Sequence, residues 1–174
     1  FKFLRTNFNY ISFHATKIFH TVEGGALITQ DKELDQKFSL MRNFGHVGPV
    51  NYSGIGINGK SSELHAAMGL CCLQHMDTVL STRKQQSDIY DSLVEALPLF
   101  RPKINPLASY NHAYYPVVFE NSRVAIRCKA IMENNDIYPR RYFYPLLSSL
   151  DYVEETPTPV ASSVVNRGLC LPLF

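Results

Sequence analysis

A chain of 174 residues, 45% hydrophobic and 18% charged, has enough material for one sizeable core or a core with a small satellite. No stretch approaches the roughly 20 apolar residues of a membrane-spanning helix, so no membrane partner is expected. A formal charge of +2, with the basic residues scattered and Arg140-Arg141 the only adjacent arginines, excludes a polyanion-binding composition, and no nucleic-acid partner is expected.

The four cysteines, Cys71, Cys72, Cys128 and Cys170, have neither metal-ligand spacing nor the density of a disulfide scaffold. That usage predicts a reducing, cytoplasmic setting and no metal site. The opening Phe1-Lys2-Phe3-Leu4 has no initiating Met and none of the charged start, apolar middle and cleavage site of a signal peptide, which predicts an internal piece of a longer protein.

In chain order, residues 10–16 read as an extended run, Gly24-Gly25 breaks the chain, and Ala26-Leu27-Ile28-Thr29 reads as a second strand, with Lys17 on the loop between. Asp31 is placed to cap a helix that buries Leu34, Phe38 and Met41 and ends near Asn43. Residues 45–59 hold five of the nine glycines and Pro49, the composition of a long loop, and loops of that length are often functional. Ser61 or Ser62 then opens a helix through Leu73 that is apolar on nearly every face and predicted to be buried, against a second subunit if not its own. An amphipathic helix follows to Leu97, with Ile89, Tyr90, Leu93, Val94 and Leu97 on one side, and Pro98 ends it.

Three prolines and two asparagines within residues 98–112 mark a boundary, dividing the chain into 1–97 and 98–174. Beyond it, residues 114–119 have strand composition, with Pro116 favouring an edge or the strand's start. Ser122 is expected to cap a helix with Val124, Cys128 and Ile131 inward, and Ile137-Tyr138-Pro139 to return as an extended segment. Strands alternating with helices predict an α/β or α+β fold.

Lysine beside small and aromatic residues is by itself usually solvated. The whole string Ser12-Phe13-His14-Ala15-Thr16-Lys17-Ile18-Phe19-His20-Thr21-Val22-Glu23-Gly24-Gly25-Ala26 nevertheless resembles the Schiff-base segment of the DegT/DnrJ/EryC1/StrS sugar aminotransferases. Three more stretches resemble that family in the same order: Leu40-Met41-Arg42-Asn43-Phe44-Gly45-His46, then Ile57-Asn58-Gly59-Lys60-Ser61-Ser62-Glu63-Leu64-His65-Ala66-Ala67-Met68-Gly69-Leu70, and finally Leu169-Cys170-Leu171-Pro172-Leu173-Phe174.

The resemblance implies a type I aminotransferase fold, in which residues 1–97 complete the large cofactor domain and residues 98–174 form part of a small α+β domain. It implies pyridoxal 5'-phosphate as cofactor, Lys17 as the catalytic and cofactor-bearing lysine, Ser12 on the cofactor phosphate, and Asn58 reaching that phosphate from the other subunit of a homodimer with shared active sites. The implied reaction moves an amino group from glutamate or glutamine to a nucleotide-linked keto-deoxy sugar. His14, His20, Lys60 and Tyr144 are the candidates for touching substrate, with Arg140 and Arg141 beside Tyr144 as candidates for its diphosphate.

Two positions depart from the family's pattern. Lys60 stands where an arginine is common, which replaces a planar two-pronged contact by a point charge. Leu147 stands where a histidine is common. The family's aspartate for the pyridine nitrogen, its stacking aromatic ring and its glycine-rich phosphate turn belong upstream of Phe1, and a further helix belongs after Phe174. Residues 1–174 alone are therefore expected to be catalytically inert. A pyridoxamine-dependent dehydratase is the neighbouring alternative, against which Lys17 speaks; a non-catalytic remnant retaining only the fold or dimer surface is the other.

Overall fold

The structure, a computed structural model, describes residues 8–154 and 156–173. The opening tetrapeptide and the closing Phe174 discussed above lie outside those residues. The chain divides into two compact units, one up to Asp77 and one from Thr78 onward.

In the first unit, strand β1 (Phe8–Ser12) pairs antiparallel with β2 (Gly25–Thr29), from Phe8 opposite Thr29 to Ser12 opposite Gly25. The strand predicted over 10–16 therefore stops at Ser12, because residues 13–24 turn back through a loop instead of continuing the ladder. Helix α1 (Lys32–Met41) starts where Asp31 predicts. The Asp31 carboxylate accepts from the Glu33 and Leu34 N–H groups at 2.9 and 3.2 Å, satisfying two donors the first turn cannot pair itself.

The glycine-rich stretch contains regular structure after all, a small hairpin of β3 (His46–Val47) and β4 (Asn51–Tyr52). Its two ends are stitched to the end of α1: Met41 O accepts from Ile57 N, Arg42 O from Gly59 N, and Ile57 O from Phe44 N, all at 2.8–3.0 Å. Gly45 makes that crossing feasible, since its φ is 74° and a Cβ there would run into the Gly54 carbonyl.

Two helices were expected between residues 61 and 97, and the structure has one, α2 (Glu63–Val94), 32 residues long and continuous from the first unit into the second. No proline interrupts it, and its interior Gly69 is tolerated. The chain leaves the helix at Val94, four residues before Pro98. The all-round burial predicted for its first half is not supplied by this chain: Leu64 is 83% exposed, and Leu70 and Leu73 are also mostly exposed. Among the described residues no helix is long and apolar enough to cross a membrane.

The second unit is built on a three-stranded antiparallel sheet in the order β5 (Leu99–Phe100), β6 (Tyr115–Phe119), β7 (Gly168–Leu171). Pro116 is tolerated in the central strand because β5 spans only Val118 and Phe119, leaving Pro116 with β7 as its only neighbouring strand. Tyr115, Val117 and Leu169 form the buried core, packed by Tyr90 and Val94 of α2 and by Leu99, Phe119, Leu171 and Leu173. Helix α3 (Ser122–Glu133) lies over β6 and β7, and Asn121, rather than Ser122, caps it, its side-chain oxygen accepting from Val124 N at 3.0 Å. The helix turns Ala125 inward, whereas Val124 and Ile131 are exposed; a small side chain at the contact lets the helix approach the sheet closely. The segment expected to return extended over 137–139 leads into a bridge between Arg140 and Cys170, and the third strand of the sheet is β7, reached through helix α4 (Pro159–Val165).

The α2 side chains also hold the end of the chain. Arg83 donates to the carbonyls of His112, Ala113 and Leu173 at 3.0, 2.7 and 3.2 Å, and Tyr90 OH donates to Pro172 O at 3.0 Å. Tyr115 OH donates to Asp91 Oδ1 at 2.8 Å, Arg101 pairs with the same carboxylate oxygen, and the Arg101 guanidinium lies 3.8 Å from the Tyr115 ring centre.

Burial, the bond to Asp91 and the nearby negative charge push the Tyr115 phenol above its ordinary 10.0, against a smaller opposing effect of Arg101; burial pushes Tyr90 the same way. A raised folded-state value keeps the proton on in the fold while the unfolded chain gives it up, so stability falls as pH climbs past the unfolded value. Urea unfolding between about pH 8 and about pH 11 should show the loss beginning near pH 10, and Tyr115→Phe should flatten it. A pH-independent unfolding midpoint across that range would contradict the buried phenol.

Candidate active site

Lys17 stands on the loop between β1 and β2, and that loop is closed at its base by backbone bonds. Phe13 N donates to Gly24 O and Thr21 N to Phe13 O, each at 2.9 Å, while Lys17 N donates to His14 O at 2.9 Å. Thr21 Oγ1 donates to Glu23 O at 2.6 Å, and Val22 N to His20 Nδ1 at 3.3 Å. Val22 sits at φ 68°, a strained value for a β-branched residue, of the order of 1–3 kcal/mol, and the flanking bonds hold it there. Phe13 and Phe19 meet edge to face, 5.1 Å between ring centres, under the loop.

This closure brings four of the predicted residues onto one loop. Ser12 ends β1, and its hydroxyl receives one long bond, 3.4 Å, from His14 N. The His14 ring nitrogen Nδ1 lies 2.9 Å from Thr16 Oγ1 and accepts from Thr16 N at 3.2 Å, and its Nε2 lies 3.6 Å from Glu23 Oε1. That last contact is an ion pair when His14 is protonated, and both partners are too exposed for it to add much stability. Lys17 is exposed, and among the described residues its amine has no hydrogen-bond or ion-pair partner.

Asn58 and Lys60 belong to the second stitched segment. Asn58 forms a bridge with Asn43, and Lys60 Nζ stands 5.0 Å from the centre of the Phe44 ring. A groove of about 520 Å³ runs beside both segments; Tyr10, Ile11, Gly25 and Leu27 line one side, and Arg42 and Gly59 contribute to the other. Ser12 and Asn58 are chain neighbours of this lining, and neither they nor Lys17 are part of it. Tyr144 belongs to the unit from Thr78 onward, where the Arg141 guanidinium stacks 3.5 Å from its ring centre; Arg140 donates to Tyr142 OH at 2.5 Å.

The arrangement offers a free primary amine on a braced loop, with a nearly unengaged hydroxyl five residues before it. Cys170, by contrast, is a packing residue, its thiol pushed up by burial and so less ready to ionise. Sequence reasoning missed Thr21 and Gly69 as structural partners. An isolated glycine within a helical pattern was the one available signal for Gly69, and nothing in the local pattern marks Thr21.

The pattern of the DegT/DnrJ/EryC1/StrS aminotransferase family matches residues 5–174. The dTDP-4-amino-4,6-dideoxy-D-glucose transaminase of Shigella dysenteriae is 34% identical over 172 residues, covering 94% of this chain and 46% of its own length. The aminotransferase TlmJ from Streptoalloteichus hindustanus superposes with a TM-score of 0.86 at 23% identity, over 96% of this chain and 46% of its own, a likeness of fold. Helicobacter pylori PseC, an aminotransferase involved in the biosynthesis of pseudoaminic acid, superposes with a TM-score of 0.78 at 25% identity, over 96% and 48%. The chain spans about half the length of the curated relatives it matches.

Proposed function

This chain belongs to the DegT/DnrJ/EryC1/StrS aminotransferase family and has its type I fold, and on that premise we propose that the whole protein transfers an amino group from glutamate or glutamine to a nucleotide-linked keto-deoxy sugar with pyridoxal 5'-phosphate as cofactor. The observation that supports the reading is the β1–β2 segment, which carries the exposed Ser12 hydroxyl at the end of β1 and the exposed Lys17 side chain five residues on, on a braced turn. Those groups fit the cofactor, which needs a primary amine for attachment and hydrogen-bond donors for its phosphate.

Pyridoxal phosphate supplies an electron sink that makes the α-proton of an amino donor removable. Lys17 would supply the amine that holds the cofactor and a base for that proton. Ser12 Oγ–H would donate to the phosphate. The Asn58 side chain, exposed and without a partner among the described residues, donates to the same group from a second copy of the chain. The exposed Leu64, Leu70 and Leu73 on α2 and Ile55 and Ile57 before it are the apolar surface assigned to the second copy. His14, His20 and Lys60 are assigned to the substrate side of the site. Tyr144 with its stacked Arg141 is assigned to the nucleotide diphosphate, a group that a guanidinium binds with two parallel bonds. In this reading residues 1–97 complete the cofactor domain and residues 98–174 belong to the small domain.

The test uses the full-length protein, pyridoxal phosphate, glutamate or glutamine, and the 4-keto sugar nucleotide corresponding to the amine named for the Shigella relative. The expected result is formation of the sugar amine together with the oxo acid of the donor, and borohydride fixation of the cofactor on Lys17 by mass mapping. Label spread over surface lysines with no amine formed would favour the non-catalytic remnant.

A further inference from the structure

We propose that Thr21 and Gly69 set the position of the Lys17 loop by locking it against α2. The proposal rests on the reading of Lys17 as the cofactor-bearing lysine and adds what places it. Gly69 is buried on α2, and a Cβ there would lie 2.9 Å from Thr21 Cγ2 and 3.7 Å from Phe19 Cζ. The loop therefore approaches the helix to a distance that only a missing side chain permits.

Thr21 can rotate away only by giving up a hydrogen bond. Its Oγ1 donates to Glu23 O at 2.6 Å, and swinging Cγ2 away from the helix would break that bond. The backbone of the same residue is held too, since Thr21 N donates to Phe13 O across the base of the loop. Phe19, the other side chain over Gly69, is braced edge-on by Phe13. A methyl group at position 69 therefore either breaks the Thr21–Glu23 bond or shifts the loop by a few tenths of an ångström, and Lys17 lies within that loop. Thr21 is thus a positioning residue, acting on the cofactor only through Lys17.

The sign of the effect separates this lock from ordinary helix energetics. Alanine forms helix better than glycine, so Gly69→Ala should leave α2 intact or firmer while displacing the loop. Thr21→Ser removes the obstructing methyl and keeps the hydroxyl bond, so it should relieve that variant; in Thr21→Val no methyl can stand 2.6 Å from the Glu23 carbonyl as the hydroxyl does, so the two methyls take the other positions, one of them facing Gly69, and it should not.

The experiment measures, in the full-length protein, the rate of borohydride-trapped pyridoxal phosphate incorporation at Lys17, and amide hydrogen exchange over residues 13–24 without cofactor. Gly69→Ala is expected to slow incorporation about tenfold or more, the scale of misplacing a reacting group by a fraction of an ångström. It should also speed exchange in the loop. The double variant Gly69→Ala/Thr21→Ser should return both readouts to within about threefold of the parent, and Gly69→Ala/Thr21→Val should not. Unchanged incorporation and exchange in Gly69→Ala, or failure of Thr21→Ser to restore them, would overturn the lock. If the parent protein takes no label on Lys17, the cofactor reading fails, and exchange alone decides the lock: faster loop exchange reversed by Thr21→Ser supports it, unchanged exchange overturns it.

Discussion

Lys17→Ala in the full-length protein should lower amino transfer by about 10³-fold or more while leaving the unfolding midpoint of the cofactor-free protein unchanged. The two halves of that expectation come from different observations. The loss follows from asking one amine both to carry the cofactor and to move the proton, so no neighbouring group inherits the task. The unchanged stability follows from the exposure of Lys17 and its lack of partners among the described residues, which make its removal worth at most about 0.5 kcal/mol to the fold. Lys17→Arg should be as inactive, because a guanidinium keeps its protons and cannot serve as a base. Turnover, borohydride labelling and thermal unfolding of the same preparations check all of this. Activity within about tenfold of the parent would remove Lys17 from the centre of the site.

Tyr115→Ala should produce the largest loss of stability, of the order of 4 kcal/mol. Tyr115 is 0% exposed, lies with its ring tilted against that of Tyr90, 4.8 Å between centres, and anchors the core with Val117 and Leu169. Truncation removes the ring from that core and strips a hydrogen bond from Asp91, while Arg101 loses the face it covers. Tyr115→Phe separates the contributions. It keeps the ring and gives up only the hydroxyl, at a cost of about 1–2 kcal/mol, since Asp91 retains its pairing with Arg101. Urea unfolding of both variants measures the difference. Equal losses would mean that the hydroxyl, not the packing, dominates; a loss below about 1 kcal/mol for Tyr115→Ala would contradict its place in the core.

The candidate loop and the core differ in how they could be read. The loop was legible because its information is local: Ser12, Lys17 and the Glu23-Gly24-Gly25 turn stand within 14 residues, and a strand, a break and a second strand follow from composition alone. The Asp31 cap was legible for the same reason, since a carboxylate two and three residues before the donors it meets needs no tertiary partner. Helix α3 shows where local reading fails. Its apolar positions permit more than one inward face, and the sheet beneath takes the small Ala125 and leaves Val124 and Ile131 exposed. The glycine-rich stretch was read as a loop, but the stitching of Met41 and Arg42 to Ile57 and Gly59 joins residues about 16 apart that share no periodic signal.

The sequence by itself determined the family, the order of most of the elements and the identity of the lysine on the braced loop, because each of these is written in residue types a few positions apart. Only the tertiary structure decided that Arg83 would hold carbonyls 29 to 90 residues away, that Tyr115, Asp91 and Arg101 would share one contact, and that Gly69 would admit Thr21. These depend on which distant backbones meet, and at what distance, once apolar burial has brought the elements together. Side-chain spacing along the chain carries no measure of that distance.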